Sequence, residues 1–208
     1  MHIPDGFLDV KTIAITTTIS VLCVGIGVKK INRNIEEKQI PMLGVIAAFV
    51  FAAQMLNFPV AGGTSGHFMG SMLGIVLLGP LSTLLIMSMV LIVQCFVFQD
   101  GGLTALGANV FNMGIVGPIA GYLVYSSMLK LKINKMVCVF IAAWLSIVAA
   151  ASFCAIELTI SGIVPFKTAL LSMAGIHSII GVGEGLITIT VLTFITKARP
   201  DLLEMRKI

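Results

Sequence analysis

Long apolar runs separated by short polar breaks constrain this chain more than any other feature of its sequence. The 208 residues are 58% hydrophobic and only 11% charged, and the mean hydropathy is +1.08. A typical soluble domain carries about twice that share of charged residues. The sequence therefore predicts an all-α integral membrane protein. The apolar runs cover about 12–28, 40–57, 68–98, 103–129, 136–156 and 168–196.

Basic residues form three clusters that bear on the topology. By the positive-inside rule all three lie in the cytoplasm, so an even number of crossings must separate Lys38 from Lys130. Three apolar runs stand between these residues, which is the wrong parity. Because the basic residues lie mainly in these clusters, the positive-inside rule accounts for the net charge of +4, which does not indicate nucleic-acid binding. The clusters are Lys29, Lys30, Arg33 and Lys38; Lys130, Lys132 and Lys135; and Lys197, Arg199, Arg206 and Lys207.

The run 68–98 resolves the parity. As one helix it would be about 47 Å long, well beyond a hydrocarbon core of about 30 Å. Gly79-Pro80 near its middle predicts two short helices folded back on each other. The expected fold is one membrane domain, residues 1–208, with seven transmembrane helices, the amino terminus outside and the carboxyl terminus in the cytoplasm. Four segments then share the outer side: Met1 with His2, and residues 58–67, 99–102 and 162–167.

The chain begins with Met1-His2, a pair that can chelate a metal ion. A free Met1 amine, the deprotonated His2 amide and the His2 imidazole Nδ1 would place three nitrogens in one plane. Such donors suit Ni(II), Cu(II) or low-spin Co(II), and match tetrahedral Zn(II) or oxygen-seeking Mg(II) and Ca(II) poorly. The alternative is a chain that starts with Met and happens to continue with His. No cleavable signal peptide is expected, because no basic segment precedes the first apolar run.

A glycine-rich loop before the 68–98 run supplies a further candidate ligand. Its glycines allow a tight fold and a close approach to another segment, which presents His67 as a fourth nitrogen donor. The alternative is that Gly66, Gly70 and Gly74 let helices pack closely and that His67 caps one of them. The loop reads Pro59-Val60-Ala61-Gly62-Gly63-Thr64-Ser65-Gly66-His67.

Three ionisable residues lie within or near apolar runs. His177 and Glu184 are seven residues apart, so they share one helix face, and Glu157 stands near the outer end of the preceding helix. Such groups are costly in a bilayer and point to function, here proton coupling. The alternative is a structural network with buried amides. Those amides are Gln94, Asn109 and Asn112.

The sequence lacks the motifs of an ATPase, a zinc protease or a serine hydrolase. It contains no P-loop, HExxH or GxSxG pattern, so any energy input must come from a partner or an ion gradient. The four cysteines show no CxxC spacing and are expected to pack as small apolar residues. On the second helix Gly44, Ala48 and Ala52 form a stripe of small residues, which would dock a partner helix or pack within the bundle.

Three segments together resemble the CbiM/NikM family, the substrate-binding (S) components of energy-coupling factor (ECF) transporters for cobalt and nickel. The resemblance spans the whole chain and implies an S-component core of six helices with one additional amino-terminal helix. It also implies that the metal is held by the Met1 amine, the His2 amide and imidazole, and the His67 imidazole. The segments are MHIPDGFL at the start, FVFAAQMLNFPVAGGTSGHFMG at 49–70 and GIHSIIGVGEGLIT at 175–188.

The resemblance further implies partners and a role. Family members work with a membrane scaffold (T) subunit, paired cytoplasmic ATPases and usually a small accessory membrane subunit. In other S components an AxxxA motif docks onto the scaffold, and Ala48 and Ala52 fit that pattern. The expected protein is a non-enzymatic, multi-pass subunit in the cell membrane that captures Ni(II) or Co(II) outside for an ATP-driven importer. The start Ile3-Pro4-Asp5 is closer to the nickel branch.

Two rival functions remain at this point. One is a proton-coupled metal permease that uses His177 and Glu184 and needs no ATPase. The other is an intramembrane metal-dependent hydrolase, which a planar four-nitrogen site disfavours because it leaves no easy position for an activated water.

Overall fold

The structure is a computed structural model that describes residues 1–34 and 37–200. Within these residues the chain forms a helical bundle with one short strand pair. The helices are α1 (Val10–Asn34), α2 (Ile40–Gln54), α3 (Ser71–Leu78), α4 (Pro80–Phe98), α5 (Leu106–Lys130), α6 (Lys135–Ile160) and α7 (Phe166–Ala198). A 3-10 turn, Glu37–Gln39, precedes α2, and strands β1 (Phe58–Pro59) and β2 (Ser65–Gly66) pair antiparallel. Arg206, Lys207 and the carboxyl terminus lie outside the described residues.

Five helices are long and apolar enough to cross a membrane, namely α1, α4, α5, α6 and α7. The prediction of a mostly helical membrane protein is therefore confirmed. The other two helices are shorter, with 15 residues in α2 and 8 in α3. At 1.5 Å per residue α3 is only about 12 Å long, less than half of a hydrocarbon core.

The chain breaks at Gly79-Pro80, as the sequence predicts, but the two arms are unequal. Gly79 has φ +85°, and Pro80 opens α4 with its ring at a position where no amide hydrogen bond is lost. A Cβ on Gly74 would lie 2.8 Å from Thr83 Oγ1, so the two arms pack tightly. Because α4 has 19 residues against 8 in α3, the buried loop that precedes α3 covers the remaining depth of the bundle.

Four chain segments meet at one end of the bundle. The amino-terminal arm, residues 1–9, lies there with the α2–α3 loop, the α4–α5 loop and the α6–α7 loop. Asp9 N donates to Ser161 Oγ at 3.0 Å, and Asn57 Nδ2 donates to Asp100 Oδ2 at 2.9 Å. These are the segments that the topology argument assigns to one side of the membrane.

Candidate metal site

The amino-terminal arm is threaded into the bundle and held by its backbone. Ile3 N donates to Asn109 Oδ1 at 2.8 Å, while Asn109 Nδ2 and Gly102 N donate to Ile3 O at 3.2 and 2.8 Å. The Asp5 carboxylate accepts hydrogen bonds from the amide and hydroxyl of Thr104. These hydrogen bonds lower the pKa of Asp5, so the carboxylate is ionised at neutral pH and its hydrogen bonds to Thr104 are intact.

Gly102 is required where the arm crosses the α4–α5 loop. A Cβ there would lie 2.3 Å from Asp5 N and 2.6 Å from the carbonyl carbon of Pro4. Both atoms are backbone and cannot move aside cheaply. The close approach buries the arm's first residues, and Met1 and His2 are 0% and 4% exposed.

The Met1 amine points into the bundle and meets Ser65. It donates to the Ser65 carbonyl oxygen and, at 2.8 Å, to Ser65 Oγ. His2 N donates to the same hydroxyl at 3.0 Å. A neutral amine has two hydrogens and one lone pair, so the two bonds to Ser65 use both hydrogens and leave the lone pair for another partner.

The His2 ring is fixed by residues at the carboxyl end of α4. Its Nε2 lies 3.0 Å from Gln94 Oε1, so Nε2 carries the proton and donates it. Its Nδ1 makes no hydrogen bond and lies 3.4 Å from Asp100 Oδ1. The ring therefore presents an Nδ1 lone pair that no hydrogen bond uses.

His67 stacks on His2, with ring centroids 4.5 Å apart and planes inclined by 26°. Its Nδ1 donates to the carbonyl of Phe68 at 2.7 Å, which leaves the buried Nε2 as an acceptor with no partner. The alternative that His67 caps a helix is wrong, because α3 begins after Gly70 without any side-chain cap.

Glycines bring the His67 loop against α7, as the sequence predicts. A Cβ on Gly63 would lie 2.4 Å from Met173 Sδ, and Gly62 has φ +69°. A side chain at Gly63 would force the Met173 side chain to move, and one at Gly62 would be strained by the positive φ. The loop's close approach thus sets how deep His67 lies.

The predicted site residues Met1, His2 and His67 are brought together at the buried tip of the arm. The amine and the His2 amide share the Ser65 hydroxyl there, and the His2 and His67 rings stack on each other; the candidate donors are these two nitrogens, His2 Nδ1 and His67 Nε2. Across residues 1–34 and 37–200 no group of three or more His, Cys, Asp or Glu side chains is placed to hold a metal ion. A site of this composition needs none, since two of its four donors belong to the backbone.

The other ionisable residues serve packing contacts in the structure. Both Glu184 carboxylate oxygens accept amide hydrogens at 2.8 Å, from Met69 and Gly70 at the start of α3. His177 Nδ1 lies 2.7 Å from its own helix at Met173 O. Glu157 accepts from Asn112 Nδ2 at 2.5 Å, as the network alternative expects for one of the three amides.

Sequence reasoning missed the residues that hold the arm. The network alternative paired Gln94 and Asn109 with His177 or the buried glutamates, whereas they bind His2 and Ile3. Nothing in the sequence marks Ser65 or Asp100 as a partner of the arm, although both lie in loops on the predicted outer side. These partners are 63 to 106 residues from the arm in sequence.

Burial favours the unprotonated forms of the Met1 amine and the His2 imidazole, which are the forms that bind a metal ion. It lowers the pKa of the Met1 amine to about 5, against weak opposing effects of Cys154 and Asp100. Burial and the neighbouring amine lower the pKa of His2 to about 3, against the hydrogen bond to Gln94. The buried arm therefore binds fewer protons than a free arm. The free energy that holds the arm in the bundle becomes more favourable as pH rises from about 5 to 8.

This predicts how many protons leave when a metal ion binds at pH 7. In a flexible peptide the amine is mostly protonated, so the amine and the amide together release about two protons. In this protein the amine is already neutral, so we expect about one, from the amide. Calorimetry in buffers of different protonation enthalpy measures the number, and a value near two would contradict the buried neutral amine.

Similarity to known proteins identifies the family. The family of cobalt uptake substrate-specific transmembrane regions, CbiM, matches residues 2–202. The chain belongs to the CbiM family. It is therefore an integral membrane protein of a family that takes up cobalt and nickel.

Several relatives and solved structures agree with this assignment. The chain is 43% identical over 208 residues to a putative fused nickel transport protein, NikMN, of Archaeoglobus fulgidus, covering 99% of this chain and 69% of that protein. It is 33% identical to a putative cobalt transport protein, CbiM 2, of Methanosarcina barkeri, covering 100% and 94%. A crystal structure of a truncated transition metal transporter matches with a TM-score of 0.92 and 33% identity, over 95% of this chain and 99% of that one.

Proposed function

We propose that this protein is the S component of an ECF-type importer that captures Ni(II) or Co(II) outside the cell. The observation that carries the proposal is that Met1, His2 and His67 meet at the buried tip of the arm, where two imidazole nitrogens lack a hydrogen-bond partner. Buried polar atoms in native proteins are almost always satisfied. A divalent ion bound by the Met1 amine, the His2 amide and Nδ1, and His67 Nε2 would satisfy both.

Binding would exchange Ser65 for the metal. The His2 amide hydrogen points at Ser65 Oγ, and a chelated metal takes the place of that hydrogen. The hydroxyl must then turn away as the ion enters, while the amine keeps its bond to the Ser65 carbonyl. The Ser65 hydroxyl thus contacts both backbone donors and is replaced there by the cargo.

Charge balance supports a divalent cargo. A divalent ion and one deprotonated amide leave a net charge of +1, which is costly to bury without a counter-charge. Asp100 lies 3.4 Å from His2 Nδ1 with its side chain 18% exposed, and supplies that counter-charge at the outer opening. Burial raises the pKa of Asp100, which a bound cation would reverse.

The proposed topology has seven crossings, with a six-helix S-component core, α1 as the additional helix, and the amino terminus outside. The third crossing would be completed by α3 and the buried loop before it, since irregular backbone is tolerated at membrane depth when protein surrounds it. The cytoplasmic side would then hold the basic clusters.

The proposed partners are a scaffold subunit, cytoplasmic ATPases and a small accessory membrane subunit. Gly44, Ala48 and Ala52 all lie exposed along α2, which favours docking of a partner helix over packing within the bundle. The fused NikMN relative of Archaeoglobus fulgidus is named a nickel transport protein, and we extend nickel to this chain as the favoured cargo, with cobalt as the alternative.

The rival permease would need Glu184 and His177 to exchange protons during transport. Glu184 instead uses both oxygens to fix the start of α3, beside the candidate ligand His67. In lipid vesicles that contain this chain alone, we expect Ni(II) to bind but not to accumulate under an imposed pH gradient. Radioactive nickel uptake measures this, with and without the scaffold and ATPases.

Two variants serve as controls for that experiment. Glu184→Gln and His177→Asn each remove an ionisable group while keeping similar size. In the complete complex both are expected to retain ATP-dependent uptake, reduced only as far as packing suffers. Concentrative uptake by the chain alone, abolished by Glu184→Gln, would instead establish the permease.

A further inference from the structure

We propose that Gln94 is a positioning residue that sets the tautomer and the donor strength of His2 in the metal site. The inference rests on the proposed function and adds a residue that does not itself touch the metal. Its basis is the contact of His2 Nε2 with Gln94 Oε1 at 3.0 Å.

The chelate demands one tautomer of His2. Only Nδ1 can close a six-membered ring with the amide of the same residue, so Nδ1 must be free of its proton and Nε2 must carry it. An acceptor opposite Nε2 enforces this arrangement. Gln94 supplies that acceptor from α4 and is 0% exposed, so no water substitutes for it.

In His67 a hydrogen-bond acceptor also fixes the tautomer, but the roles of the two ring nitrogens are exchanged. There the backbone carbonyl of Phe68 accepts from Nδ1 and leaves Nε2 free. His2 cannot use a backbone carbonyl in this way, because its Nε2 points away from the arm toward α4. A side chain from another helix is needed, and Gln94 fills that place.

The hydrogen bond also tunes the bond to the metal. An acceptor on the outer nitrogen of a ligating imidazole raises the basicity of the inner nitrogen, and loss of such a partner typically lowers metal affinity by about 10–100-fold. Gln94 is uncharged, so it strengthens the ligand less than a carboxylate would. Substitutions at position 94 should therefore move donor strength in both directions.

The experiment compares Gln94→Met with Gln94→Glu in protein with its native Met1 start. Gln94→Met keeps the volume, but its thioether is only a weak hydrogen-bond acceptor, so we expect about 10–100-fold weaker Ni(II) binding and a ligand-field band at longer wavelength. Gln94→Glu should regain affinity relative to Gln94→Met and move the band to shorter wavelength than wild type. Calorimetry and visible absorption measure the two effects.

A control separates this role from general packing. Ser146→Ala removes a buried hydrogen bond to Ser71, 3.0 Å long and away from the site, and should leave the band unshifted. If Gln94→Met does not fold, the band of Gln94→Glu against wild type still decides. Equal bands and affinities in wild type and the Gln94 variants would overturn the proposal.

The outcome also separates this inference from the proposed function. Wild-type protein that shows no planar nickel band at all would refute the metal site itself. A wild-type band that vanishes when the amino terminus is extended, but does not respond to Gln94, would refute only the role of Gln94.

Discussion

Adding one glycine before Met1 is expected to abolish high-affinity metal binding while leaving the helical bundle folded. The addition turns the Met1 amine into an amide, whose nitrogen binds a metal ion only after it loses a proton, and it places the free amine one residue farther from His67. Burial adds a second obstacle, because Met1 is 0% exposed and its nitrogen already contacts Ser65. Metal content of the purified protein and calorimetry measure the loss.

Two controls make this result specific to the amino terminus. The same glycine placed after Ile208 should leave binding unchanged. A cleavable extension that regenerates Met1 should restore binding in the same sample, with circular dichroism unchanged throughout. Full metal content in the extended protein, with an unchanged ligand-field band and an unchanged requirement for His67, would show that the Met1 amine is not a ligand.

The expected loss follows from a feature that sequence alone reveals. Chelation by Met1 and His2 is a property of two adjacent residues, and no fold is needed to propose it. The topology argument then placed His67 near them, because basic clusters and the Gly79-Pro80 break constrain the order of crossings. The structure brings these three residues together, while their role as ligands remains to be tested.

The supporting residues could not be predicted in the same way. Whether Gln94 meets His2 or His177 depends on the rotation of α4, and an apolar run does not specify which polar residue faces which neighbour. The start of α3 was missed by about three residues, since the predicted run begins at 68 whereas the helix begins at Ser71, where the Glu184 carboxylate of α7 binds the preceding amides.

The π-helical segment of α5, Phe111–Val116, gave no sequence signal either. It includes Asn112, which is fully buried and bonds Glu157. One extra residue in a helical turn shifts the register of the side chains that follow. That shift depends on how α5 packs against α6, so the helix propensities of residues 111–116 do not predict it.

Replacing histidines one at a time should rank the proposed ligands. His67→Ala removes one donor of four and leaves the three-point chelate, so weak binding with a shifted ligand-field band should remain. Loss of an outer partner already costs about 10–100-fold, so loss of this ligand should cost more than about 100-fold. His2→Ala removes the ring that completes the chelate and should leave no measurable binding.

The third histidine provides a matched control for this series. His177→Asn removes a buried imidazole that bonds its own helix at Met173 O and contacts the Ser65 backbone, but is not one of the four proposed donors, so metal affinity should stay within a few-fold of wild type. The same comparison separates ligand loss from damage to packing, since all three histidines are buried. If His67→Ala binds as tightly as wild type while His177→Asn does not, His177 takes the fourth position and the planar site must be redrawn around it.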